Sequence, residues 1–134
     1  MHIMPNGPTA YCDVDDTLIS WIRPGENTPE EDKVTVTTRD ISDTFVINHH
    51  NVEYIKKLAV RGHCVIIWSA GGSCWARAVA EALGLEKYIW AVMSKPTYFI
   101  DDIKDPKEFM GKHVFYDMMG NRTGYSPNKP EEDK

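Results

Sequence analysis

The sequence predicts an α/β domain built on a mostly parallel sheet. Short apolar runs recur at 9–14, 63–68, 88–93 and 97–100. Segments of helical periodicity lie between some of them, at 51–61 and 74–83. Polar residues fall at the carboxyl ends of the runs: Asp13 and Asp15, then Ser69, then Asp101 and Asp102. Apolar strands separated by crossover helices belong to parallel sheets covered on both faces. In such sheets ligands sit beyond the carboxyl ends of the strands.

The first run, "TAYCDV", follows the breakers Pro5 and Pro8 and stops at the acidic "DVDD"; it predicts a buried strand. "RPGENTPEEDK" (23–33) is a solvated loop. "VTVTT" and "TFVIN" flank "RDISD" and are β-branched and short, which predicts a hairpin. Asn48 or Asn51 caps the next helix, whose apolar face is Val52, Ile55, Leu58 and Ala59, and Gly62 stops it. "HCVIIW" predicts a fully buried strand. Ser73 is the expected cap of the second helix, with Trp75 and Val79 on its inner face. "YIWAVM", "TYFI" and "KHVFYD" complete the strand candidates. One catalytic domain (1–120) is expected, with 18–48 as loop and hairpin flap and a mobile polar tail at 121–134.

A chain of 134 residues suits one core. With 42% apolar residues it is too rich for disorder. The net charge of −5 argues against a general grip on nucleic acid. Cys12 and Cys64 read as small buried thiols, the three cysteines show no zinc spacing, and no apolar run could span a bilayer. A cytoplasmic protein without membrane contact is the expectation. His49 and His50 read as exposed neighbours of a helix start.

The carboxylates demand an explanation. Asp13 and Asp15, two apart on an extended chain, face the same side. Crowded carboxylates repel, and a hard divalent cation relieves that repulsion. Oxygen-only donors suit Mg²⁺, which takes one or two carboxylates together with water and phosphate oxygens. A phosphorylated ligand follows. Ser69, with Ala70, Gly71 and Gly72 behind it, puts a hydroxyl and backbone N–H groups at a helix mouth. Lys95 could neutralise phosphoryl charge, with Lys104 as the fallback.

These segments resemble the four motifs of the haloacid dehalogenase-like hydrolases. "DVDDTL" is similar to the first motif, "VIIWSAGG" to the second, and "SKP" with "YFIDDIKD" to the third and fourth, in family order over residues 9–105. The resemblance implies a Rossmann-like three-layer α/β/α sandwich and a Mg²⁺-dependent phosphatase. Asp13 would be the nucleophile. Asp15 would act as acid and then base, with its main-chain carbonyl helping to hold the metal. Thr17, Ser69, Ala70 and Gly71 would border the phosphoryl group, and Lys95 would steady it. Asp101 or Asp102 would hold Mg²⁺, with Asp105 as a more distant candidate. The gaps between motifs are too short for a large cap, so a capless member is implied. Capless relatives accept macromolecular ends or close their site with a neighbouring subunit, which leaves a homo-oligomer open. The acidic balance tilts the substrate toward a small metabolite over a nucleic-acid end or phosphoprotein. Two alternatives use the same residues: a phosphotransferase or phosphomutase, and a catalytically silent metal-binding regulatory module.

Overall fold

The computed structural model describes residues 6–105, 110–111, 113–117 and 120–121. The remainder, including 122–134 of the expected tail, lies outside the described residues.

The chain is a mixed α/β protein, and its described residues form two three-stranded sheets. The parallel sheet has the order β1 (Thr9–Cys12), β5 (Cys64–Ser69), β6 (Ala91–Ser94). The antiparallel sheet has the order β2 (Ile19–Trp21), β4 (Ser42–Ile47), β3 (Lys33–Thr37). Helix α1 (His49–Val60) joins the second sheet to β5, and α2 (Ser73–Ala82) joins β5 to β6.

Each helix has identifiable ends. Asn48 caps α1, its side chain accepting from the Asn51 N–H. Helix α2 starts differently from the expected serine cap. Gly72, at φ +106°, occupies the cap position, a conformation that favours glycine. Ser73 is already helical, and its N–H donates to Ser94 Oγ at 3.0 Å.

The expected hairpin forms as β3 and β4, with Thr35 paired to Thr44 across the strands. It gains a third strand, since Ile19, Ser20 and Trp21 pair with Ile47, Val46 and Phe45. This sheet is rooted in the core. Val36 and Phe45 are buried in one cluster with Ile19, Val65, Ile67, Ala76 and Val79. Burial of each such side chain is worth roughly 1.5–3 kcal/mol, which ties the flap to the body.

Coverage of the parallel sheet departs from expectation. Burial alternates along β5: Val65, Ile67 and Ser69 are buried, while Cys64, Ile66 and Trp68 are half-buried. Val52 and Ile55 of α1 share the cluster of Val65 and Ile67 with Ala76, Val79 and Ala80 of α2. Both helices therefore serve one face. The strands advance in one direction from β1 through β5 to β6, and crossovers of one hand then place their helices on the same side. On the other face Tyr11 stacks on Trp68 at 4.4 Å.

Two expected strands do not form. Residues 97–100 are irregular, with Tyr98 80% and Ile100 95% exposed. Pro96 brings no N–H to a ladder. Residues 113–117 form no extended strand. They are fastened to α1, since Tyr116 N–H donates to Asn51 Oδ1 and the Tyr116 carbonyl accepts from Asn48 and Asn51.

Candidate active site

The carboxyl ends of the parallel strands gather the polar residues. Cys12 pairs with Ile67 and Ser69 with Ser94, so Asp13, Ser69 and Lys95 leave the sheet at one edge. Asp13 and Lys95 follow the outer strands, roughly 10 Å apart at about 4.8 Å per strand spacing. The long Lys95 side chain crosses the end of β5, and its Nζ stands 3.0 Å from Asp13 Oδ1. On the way it passes 5.9 Å from the Trp68 ring. Lys95, not Lys104, is thus the lysine beside Asp13. An ion pair this exposed adds about 1 kcal/mol or less to stability.

The loop after β1 is held from several directions. The N–H groups of Thr17 and Leu18 donate to the Val14 carbonyl, and Asp16 N–H donates to the Ile19 carbonyl. Asp16 sits at φ 62°, a left-handed conformation that aspartate tolerates better than most residues. Thr17 Oγ1 donates to Asp13 Oδ2 at 3.1 Å. Behind the loop, buried Asn51 donates to the Thr17 carbonyl at 2.8 Å. Both Asp13 oxygens therefore have a partner, and Val14 and Leu18 anchor the turn in the core.

Asp15 is exposed and turns toward α2, where Trp75 Nε1 donates to its Oδ1 at 3.0 Å. Ser69 stands at the expected strand end but is wholly buried, its Oγ accepting from the Gly71 N–H at 2.9 Å. A Cβ on Gly71 would lie 3.3 Å from both Ser69 Oγ and Trp75 Cδ1, so a hydrogen there keeps this corner uncrowded. Ser94 offers an exposed hydroxyl beside Ser69. Ala70 is exposed in the same turn.

Asp101 and Asp102 lie apart from this arrangement. Both are exposed in the irregular segment after residue 100. The Ile103 N–H, then the side-chain contact with Asp102, hold the Asp101 carboxyl below the usual carboxylate range. Among the described residues no three His, Cys, Asp or Glu side chains converge to hold a metal. The donors at the end of β1 fit Mg²⁺ in kind, being carboxylate oxygens, and in the one or two that this ion takes from protein. The second acidic pair does not join them there.

Three neighbours complete the surroundings. Cys12, half-buried as a residue, donates from Sγ to the Asp13 carbonyl, and burial of the sulfur followed by the Asp13 charge pushes its thiol up to about 12, with Lys95 opposing. His49 contacts Asp32 at 3.0 Å. A groove of about 340 Å³ adjoins the mouth of α2, lined among others by Arg39, Ser73 and Arg77.

Sequence reasoning passed over Ser94 and placed Trp75 in the core at the rim of the site without foreseeing its contact with Asp15. Ser94 carried a signal, standing directly before Lys95 at a strand end. Trp75 read as a core position on a helix, and it does pack on the core. Nothing in helical periodicity announces that its N–H faces a carboxylate. No protein-family model, no curated protein and no solved structure significantly matches this chain.

Proposed function

We propose that this chain is a Mg²⁺-dependent phosphatase that hydrolyses a phosphomonoester through a phospho-aspartyl intermediate on Asp13. The observation that carries the reading is Lys95 Nζ at 3.0 Å from Asp13 Oδ1, across the end of an intervening strand. A nucleophilic carboxylate beside a fixed cation gives an attacking oxygen and a counter-charge for the phosphoryl group.

In the first step an Asp13 oxygen bonds to phosphorus as the bond to the leaving oxygen breaks. The departing electron pair takes a proton from the Asp15 carboxyl. In the second step water attacks the same phosphorus, the bond to Asp13 breaks, and the water proton passes to Asp15. Thr17 orients Asp13 through its 3.1 Å hydrogen bond. Ser69 shapes the turn through Gly71 and keeps its hydroxyl hydrogen for donation, while the exposed Ser94 hydroxyl is within the same strand-end row. Mg²⁺, when bound, supplies charge neutralisation to the phosphoryl oxygens. Asp13 and the main-chain carbonyl of Asp15 would hold it, with water filling the remaining positions.

The reading carries a Rossmann-like three-layer domain with it. It carries a cytoplasmic setting as well. The net charge of −5 favours a small metabolite as substrate.

Incubation with p-nitrophenyl phosphate and Mg²⁺ tests the reading. Steady phosphate release, abolished by a chelator and reduced at least a thousandfold by Asp13→Asn, is expected; the size is that of losing a nucleophile. Metal binding without turnover on a broad panel of phosphomonoesters would instead leave a silent binding module.

A further inference from the structure

We propose that Trp75 is a positioning residue for the acid/base carboxylate Asp15, and that the antiparallel sheet sets the position of Trp75. The inference rests on the phosphatase reading of the site. Asp15 lies on an exposed turn, where a free carboxylate would sample several rotamers. The indole N–H of Trp75 takes up Asp15 Oδ1 at 3.0 Å. An indole nitrogen donates and cannot accept, so this contact holds Asp15 without removing its proton.

Trp75 is a suitable anchor because its own ring is fixed. It packs on the core cluster and meets buried Phe45 edge-on, with centroids 5.7 Å apart. Phe45 in turn packs against Trp21 at 4.8 Å. These three rings form a continuous row from β2 through β4 to the first turn of α2. Aromatic pairs of this geometry attract beyond the area they bury. Displacing the antiparallel sheet would therefore move the donor on which Asp15 rests. Asp13 has a separate support in Lys95 and Thr17, so nucleophile and acid/base are steadied by different parts of the chain.

Trp75→Phe keeps an aromatic ring and removes the N–H. A general acid matters in proportion to how poorly the leaving group departs unaided. In Trp75→Phe, kcat/KM should fall at least ten times further for an alkyl phosphate than for p-nitrophenyl phosphate, with KM for the two changing alike. A purely structural role for Trp75 would lower both substrates equally, and that result overturns the proposal. A second measurement needs no turnover and no Trp75 variant that folds. Among the indole N–H resonances of the four tryptophans, the one belonging to Trp75 should shift in Asp15→Asn while those of Trp68 and Trp90 stay in place. An unmoved Trp75 resonance overturns this inference alone. A moved resonance without turnover on any phosphomonoester overturns the phosphatase reading, and with it the role assigned to Asp15.

Discussion

Cys12 stands next to the candidate nucleophile and carries the more reactive element, yet its surroundings silence it. Its thiol is pushed from 9.0 to about 12, first by burial and then by the Asp13 charge. The thiolate, not the thiol, is the nucleophile. Because the folded value lies above the unfolded one, the associated stability is fully present below pH 9.0 and is lost as pH rises toward about 12. Alkylation at about pH 8 should therefore modify exposed Cys74 well before Cys12, and denaturant should erase the difference; early modification of Cys12 in the native protein would contradict this account. At this scale the sequence marked Asp13, Asp15 and Lys95 as charges near strand ends, which are costly without a partner, while Thr17 entered only through the motif resemblance. Ser69 was legible as a strand-end hydroxyl, but not as one wholly buried against Gly71. Burial of that kind depends on how Gly71 and Trp75 fold back, which no spacing records.

Strand β5 shows where element-level reading succeeds and where it overreaches. The run "CVIIWS" forms the strand it promised. Its unbroken apolarity implied cover on both faces, whereas only the side of Val65 and Ile67 meets the helices. The difference predicts unequal costs. Ile67→Ala should lower stability by about 2–5 kcal/mol, as deletions in packed cores do, and Ile66→Ala by less than about half as much. Equal losses in denaturant titrations would mean that a further layer covers Ile66. Helix α1 was legible because its period, cap and glycine stop agree with one another. The serine cap expected for α2 was not realised, since Gly72 takes that position and Ser73 bonds to Ser94. Residues 97–100 have strand-like composition but join no strand ladder among the described residues. Composition favours a pleated, half-buried surface, and without one it does not impose a strand.

Over the whole molecule, two sheets meet at one polar edge. The parallel sheet delivers Asp13, Ser69, Ser94 and Lys95. The antiparallel sheet, rooted through Val36 and Phe45, supports the Trp75 contact to Asp15. The α/β class and the order of its central elements were readable from apolar runs and periodicity. The one-sided placement of both helices was not, because it follows from the direction of winding. The second acidic pair, expected to converge with the first, lies instead on the exposed segment after residue 100. The central claim concerns Asp13 itself, and covalent trapping tests it most directly. Protein mixed with a phosphomonoester and Mg²⁺, quenched in acid and mapped by mass spectrometry, should carry one phosphoryl group on the peptide containing Asp13, and Asp13→Asn should carry none. Sustained turnover with no label on that peptide, or with label on another residue, would contradict the account.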